Sequence, residues 1–219
     1  MYELNNERDI YVNPSDLFNP IGILDPEGNK LNPLNYKLYS DRYLEMSIGE
    51  QGWSKLPMYR IREETIQKIY DNQVILIISG TGSGKTVLTP KYALHALNYE
   101  GKIAITNPKT IPTQSNADYH RKQLDVKLGD EVGVKYKGSD PYHYSYKSKL
   151  VYCTDGHIVA KLKSDPMLFD YDCVIIDEAH ERNVRIDLLL LLLKDLVLKR
   201  SDFKLIIMSA TVNEQLFID

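Results

Sequence analysis

Ser79-Gly80-Thr81-Gly82-Ser83-Gly84-Lys85-Thr86 follows directly on the apolar run Val74 to Ile78, and the reading of this junction decides the fold. Five apolar residues, four of them β-branched, predict a short buried strand. The glycines that follow let backbone N–H groups turn inward on an anion. Val87 to Leu97 reads as the next helix, with Pro90 tolerated only near its first turns. A strand, a glycine-rich turn and a helix in that order form a phosphate cradle. In it Gly80, Thr81, Gly82, Ser83 and Gly84 supply amides, Lys85 reaches the β- and γ-phosphoryl oxygens, and the Thr86 hydroxyl can ligate Mg²⁺. The helix beginning near Gly84 adds the positive end of its dipole, roughly half a unit charge. Binding of ATP or another nucleoside triphosphate with Mg²⁺ is therefore expected. The pattern G-x-x-x-x-G-K-[ST] wants glycine at 79; Ser79 stands there with Gly80 next, so the start of the loop is expected to depart from the usual path.

Upstream of the loop, Met58, Ile61, Ile66, Ile69 and Tyr70 fall at near-helical spacing, and Asp71-Asn72 ends that helix. Downstream, strands are predicted at 103–106, 150–154, 173–177 and 204–208, with a short segment at 131–136. They alternate with helices at about 112–124, 156–163 and 186–200. The alternation predicts an α/β fold whose mainly parallel sheet is covered on both faces and gathers ligands at the carboxyl ends of its strands. The first fifty residues differ: Asn13-Pro14, Asn19-Pro20, Asp25-Pro26-Glu27-Gly28 and Asn32-Pro33 interrupt any regular element. Nine acidic residues oppose four basic ones there, so residues 1–52 are expected to be an irregular acidic extension and 53–219 the folded domain.

Composition narrows the classes further. A 219-residue chain with 43% hydrophobic residues can bury one ordinary core. Cys153 and Cys173, twenty residues apart, have neither metal nor disulfide-framework spacing and are expected to be reduced and structural. The longest leucine run, Leu188 to Leu193, is far short of the ~20 residues a membrane span needs, so no membrane partner is expected. No signal peptide is read at the start, which points to an intracellular, reducing compartment. The net charge of −3 gives no basic footprint to the whole chain. Residues 109–163, however, carry ten lysines and arginines against six acids, interleaved with six tyrosines, a mixture suited to phosphate contact and base stacking.

The run Val174 to Ile176, then Asp177-Glu178-Ala179-His180, sets two carboxylates where a buried strand emerges. Ninety-two residues beyond Lys85 and in the same strand-to-loop context, this pair suits the metal side of an NTPase site. Asp177 can hold Mg²⁺, and Glu178 can orient and deprotonate the water that attacks the γ-phosphate.

Asp177-Glu178-Ala179-His180 with Glu181-Arg182 resembles the defining motif of DEAH-box helicases. Further segments resemble that family in order and spacing. Leu56-Pro57-Met58-Tyr59 and Asp71-Asn72-Gln73-Val74 are similar to its approach to the phosphate loop. Thr106-Asn107-Pro108-Lys109 and Tyr152-Cys153-Thr154-Asp155-Gly156 are similar to its two strand-contact motifs, and Ser209-Ala210-Thr211 to the motif that joins hydrolysis to strand movement. The resemblance covers residues 56–219 and implies the first RecA-like domain, a three-layer α/β/α P-loop NTPase fold, of a superfamily 2 motor. It implies that Lys109, Thr154, Asp155 and Gly156 touch a single-stranded or partly duplex RNA or DNA. It also implies that His180 looks toward a second RecA-like domain, with Ser209 and Thr211 bridging toward it. That second domain, with its arginine finger, has no room before Asp219, so the chain alone is expected to turn over nucleotide poorly.

Departures from the family pattern sharpen the expectations. Lys109 and Thr110 stand where paired arginines are usual, which keeps one charge and loses bidentate phosphate geometry. Tyr119 falls where the family often places an arginine that stacks on the nucleotide base; a tyrosine still stacks, and loose base preference is expected. Val134 to Gly138 differs from the usual Tyr-x-Ile-Arg-Phe run. These features resemble helicases of large DNA viruses, which would set the protein in a host cytoplasm or a virion. Two other functions compete with the motor: a nucleotide-gated nucleic-acid clamp that remodels complexes without unwinding, and a small-molecule kinase.

Overall fold

The computed structural model describes residues 22–210. Six strands form one sheet, all parallel: β1 (Val74–Ile78), β2 (Ile103–Asn107), β3 (Val132–Lys135), β4 (Leu150–Thr154), β5 (Cys173–Ile176) and β6 (Lys204–Ser209), in the order β1-β6-β5-β2-β4-β3. The alternation of short apolar runs with helices predicted this, because a parallel pair needs a long crossover and the crossover is a helix. Seven helices accompany the described strands: α1 (Asp41–Ile48), α2 (Pro57–Arg60), α3 (Arg62–Asp71), α4 (Lys85–Ala96), α5 (Thr110–Gln123), α6 (Asp155–Ser164) and α7 (Val184–Lys199).

Period-two alternation divides each strand between two cores. Ile103, Ile105, Leu150, Tyr152, Cys173, Ile175, Ile206 and Met208 face one side, against α3, α4 and α5; Ala104, Val151, Cys153, Val174, Ile176, Leu205 and Ile207 face the other, against α6 and α7. The sheet is therefore the middle of three layers, as expected. In α7, Ile186, Leu189, Leu193 and Leu196 carry the buried stripe, while Leu191 and Leu198 of the same leucine-rich run stay exposed. Cys153 and Cys173 are free, buried thiols whose pKa burial pushes up, so they pack as small apolar groups. Among the described residues no helix is long and apolar enough to cross a membrane.

Three expectations change. The helix predicted before β1 is two helices: Ile61, at φ −104° and ψ 18°, leaves helical geometry between α2 and α3, and its carbonyl accepts both the amide and the hydroxyl of Thr65. The helix after the phosphate loop begins at Lys85, two residues earlier than read, so Pro90 lies beyond its first turn. The stretch 22–52 is irregular in places but contains α1 and joins the main core. Ile23, Leu24, Tyr43 and Trp53 are all at least 99% buried. Trp53 meets Tyr43 and Tyr59 edge-on at 6.1 and 5.4 Å, and the Lys91 ammonium of α4 sits 3.7 Å over its ring. Lys91 also donates to the carbonyls of Ile23 (3.5 Å) and Gln123 (3.2 Å), and complete burial drives its pKa well down.

Candidate nucleotide site and nucleic-acid edge

Because every strand is parallel, all six carboxyl ends lie on one edge of the sheet, and the registers set them side by side. Ile78 pairs with Ser209, Ile176 with Ile207 and with Thr106, and Asn107 with Thr154. Across that edge the sequence therefore places, in order, the phosphate loop after β1, Ser209-Ala210 at the end of β6, Asp177-Glu178 after β5, Asn107-Pro108-Lys109 after β2, and Thr154-Asp155-Gly156 after β4. Segments up to 130 residues apart in the chain meet in one row, running from the nucleotide end to the strand-contact end.

The phosphate loop is braced from both flanks. Ser79 donates its amide to Ser209 (3.2 Å) and its hydroxyl lies 2.8 Å from that of Ser83, closing the loop across its mouth. The anomaly at 79 is thereby explained: neither Ser79 nor Gly80 has a positive φ, and open space surrounds Gly80, so no glycine is required there. Gly84 does need to be glycine. It adopts φ +94° as the residue before α4, and a Cβ would come within 2.8 Å of the Leu56 side chain. Met58 donates its amide to Ser83 (3.0 Å), so α2 holds the loop as well.

Lys85 is 6% exposed and Asp177 1% exposed, at the bottom of the site. Burial, then the neighbouring Glu178 charge, pushes the Asp177 carboxyl up to about 6, against the pull of the Glu178 amide, Lys85 and the Thr86 hydroxyl, which hydrogen-bonds to it. A buried carboxylate next to a hydroxyl and short of positive charge is a hard-oxygen donor set that fits Mg²⁺, with Asp177 and Thr86 as the holding residues. Among the described residues no group of three or more acids, histidines or cysteines could hold a metal ion unaided.

Glu178, side chain 37% exposed, stands at the cleft beside the loop with φ 55°, and Arg182 follows with φ 43°. Left-handed backbone at non-glycine residues is costly and held only where packing demands it. Here it turns the chain sharply after β5, so that Asp177 stays under the loop while Glu178 reaches the cleft. His180 lies with Nδ1 3.4 Å from Glu178 Oε2 and 3.3 Å from the Ala210 amide, which donates to it. Nδ1 can serve one of the two at a time, so a proton on that nitrogen exchanges the Ala210 contact for a Glu178 one. The described link from β6 to His180 runs through Ala210; Thr211 lies outside the described residues.

A cleft of about 590 Å³ opens in front of the loop. Gly80 to Val87 form its floor, Glu178 and Tyr119 border it, and the far wall is the turn Glu50 to Leu56. Tyr119 is 44% exposed at the rim of the cleft. The wall from residues 50–56 is the functional feature the sequence did not reveal: nothing local marks Gln51 or Lys55, and only the distant packing of Trp53 on Lys91 sets them there. Next to Tyr119, His120 is buried; its Nε2 is 3.0 Å from the Thr86 carbonyl and its Nδ1 2.9 Å from that of Asn116, and its ring stacks on Tyr152 at 5.2 Å. Burial lowers its pKa to about 4.

At the other end of the edge, the Lys109 side chain is 70% exposed and 3.5 Å from Glu181, so Lys109 pairs with the segment after β5. Thr154 and Gly156 are half-buried at the start of α6. Asp155 between them is 1% exposed, faces the Thr106 hydroxyl, and has its pKa raised by burial. Its carboxylate is directed into the domain rather than onto this surface. Tyr142 and Tyr146, 88% and 82% exposed, project from the loop between β3 and β4.

Residues 59–217 match the DEAD/DEAH box helicase family. The chain belongs to that family. Its relatives include the ATP-dependent RNA helicase L540 of Acanthamoeba polyphaga mimivirus, 46% identical over 195 residues, covering 88% of this chain and 28% of that protein. The ATP-dependent RNA helicase HrpA of Borreliella burgdorferi is 43% identical over 164 residues, covering 74% of this chain and 20% of that protein. The chain thus spans less than a third of the length of either relative. The family match begins at Tyr59, so the wall formed by residues 50–56 lies outside it.

Proposed function

We propose that this chain is the NTP-binding half of a nucleic-acid motor that couples ATP hydrolysis to movement along, or unwinding of, RNA. The observation that carries the reading is the single edge on which the phosphate loop, Asp177-Glu178, Ser209-Ala210 and the Thr154 turn follow one another. Both relatives described above are named ATP-dependent RNA helicases, which favours RNA over DNA.

The roles follow from position. Loop amides and Lys85 hold the β- and γ-phosphates, and Tyr119 stacks on the base. Bound Mg²⁺, held by Thr86 and Asp177 together with phosphate oxygens, would neutralise charge as the γ-phosphoryl leaves. Glu178 orients water against the γ-phosphate and takes its proton. His180 relays the state of Glu178 to β6 through Ala210. Lys109, Thr154 and the amide of Gly156 meet the strand backbone, while Asp155 holds them in place. A second RecA-like domain completes the site with an arginine finger, worth about 10³ to 10⁵ in rate. Mg²⁺-dependent binding of ATP to the 219-residue chain, lost in Lys85→Ala, together with no duplex separation by the chain alone, is the expected result. Strand separation by this chain alone would overturn the two-domain reading. Strict selectivity among the four NTPs would overturn the role given to Tyr119.

A further inference from the structure

Pro90 breaks the hydrogen-bond ladder of α4 at one point that can be named. It has no N–H, so the carbonyl four residues earlier loses its helical donor. That carbonyl belongs to Thr86. That carbonyl, in the first turn of the phosphate-binding helix on a half-buried residue, lacks a helical partner unless another group reaches it. His120 of α5 reaches it, with Nε2 3.0 Å away. We propose that His120 is a positioning residue for Thr86, supplying the hydrogen bond that Pro90 withholds and so fixing the first turn of α4, from which the Thr86 hydroxyl faces Asp177.

Proton placement supports this. The ring carries one proton to share among the carbonyls it faces, Thr86 at Nε2 and Asn116 at Nδ1, with that of Val87 also in reach. Asn116 lies in α5 four residues before His120 and already accepts the His120 backbone amide. Thr86 has no such donor, so the proton satisfies more acceptors on Nε2. The ring itself is held rather than free to rotate: it is 1% exposed, stacked on Tyr152 of β4 and edge-on to Tyr119, 6.0 Å away. Tyr119 borders the cleft, so one short segment of α5 touches both the base end of the cleft and the metal-facing turn of α4. A residue without a side-chain donor at 120 would leave the Thr86 carbonyl bare.

The inference rests on the reading of Thr86 as a metal-facing residue, and the test separates the two. Binding of a fluorescent ATP analogue to the full chain is measured with Mg²⁺ and with EDTA, for wild type, His120→Val, His120→Gln, Pro90→Ala and the double variant Pro90→Ala/His120→Val. The expected result for His120→Val is a loss of about fivefold or more in affinity with Mg²⁺ and little change in EDTA, in line with one buried hydrogen bond. His120→Gln, which keeps a side-chain N–H, retains most of the Mg²⁺-dependent affinity. Pro90→Ala restores a backbone donor to Thr86, so in that background His120→Val costs at most twofold. If His120→Val fails to fold, the double variant still folds and binds, because alanine is far better tolerated than proline inside a helix. Equal losses with and without Mg²⁺, additive effects of the two substitutions, or a His120→Gln variant as weak as His120→Val would overturn the inference and leave the nucleotide site standing. Wild-type binding indifferent to Mg²⁺ would overturn the reading of Thr86 itself, and the inference with it.

Discussion

Replacing Trp53 by alanine tests whether the segment before the family match is part of the domain or an appendage to it. Trp53 is 1% exposed, contacts the rings of Tyr43 and Tyr59, and has the Lys91 ammonium 3.7 Å over its face. Truncating a buried tryptophan costs about 3 to 5 kcal/mol in lost burial and cavity. The desolvated cation–π contact adds ~1 to 2 kcal/mol, because Lys91 keeps only its two carbonyl acceptors and the more distant Tyr43 ring at 5.6 Å. The sum, roughly 4 to 7 kcal/mol, is a large part of the 5 to 15 kcal/mol that holds an ordinary domain. Trp53 is the only tryptophan, so its fluorescence cannot follow its own replacement; far-UV circular dichroism in urea is the suitable assay. Trp53→Ala is expected to shift the midpoint sharply downward and, below that midpoint, to weaken nucleotide binding through the wall at residues 50–56. Lys91→Met is the companion: it keeps the stem, removes a costly buried amine, and should cost less than about 1.5 kcal/mol or stabilise. A Trp53→Ala loss below about 1.5 kcal/mol with the slope unchanged would refute the packing argument.

Other outcomes follow from the site. In a longer protein that includes the partner domain, Glu178→Gln should lower hydrolysis by about 10² to 10⁴ while leaving ATP binding within a few-fold, read by turnover and by equilibrium binding. Gln51→Ala should weaken ATP several-fold without altering the affinity for inorganic tripolyphosphate, since Gln51 borders the cleft away from the loop. Stability should fall as pH drops from about 6.5 toward 4. His95 and His120 are both held near pKa 4 by burial, so the unfolded chain takes up protons that the folded chain refuses. Replacing His95 by glutamine should flatten that slope in pH-dependent melting. Asp177 acts with the opposite sign on the apo chain: its pKa near 6 lets the folded state keep a proton the unfolded state has lost, so Mg²⁺–nucleotide affinity should rise as pH climbs through 6.

Five of the six strands and the residues at their carboxyl ends were legible because both signals are local: short apolar runs, and motifs that sit immediately after them; β3, Val132-Gly133-Val134-Lys135, carries too weak a run and reads only as a short segment. Their order in the sheet was not, yet that order turns five motifs into one edge. What escaped the sequence depends on distant partners. Pro90 reads as tolerable only near the first turns of its helix because its missing N–H is a local fact, whereas His120, which meets the Thr86 carbonyl, lies 34 residues beyond Thr86. Nothing in the sequence around Lys91 marks it as buried; Trp53 and the Ile23 carbonyl, both distant in the chain, close around it. The break at Ile61 is a capping detail that hydrophobic spacing does not carry. Asp155, expected at a nucleic-acid surface, is turned inward, because burial depends on the strands and helices packed around it rather than on the motif's spelling.

The central claim, that one edge of this domain joins NTP hydrolysis to a nucleic-acid strand, is tested most directly by ATP turnover in a two-domain protein containing this chain, with and without single-stranded RNA. The account predicts a rate raised many-fold by RNA, with the stimulation lost in Lys109→Ala/Thr154→Ala and hydrolysis lowered by about 10² to 10⁴ in Glu178→Gln. Hydrolysis that proceeds at the same rate whether or not a strand is present would contradict it.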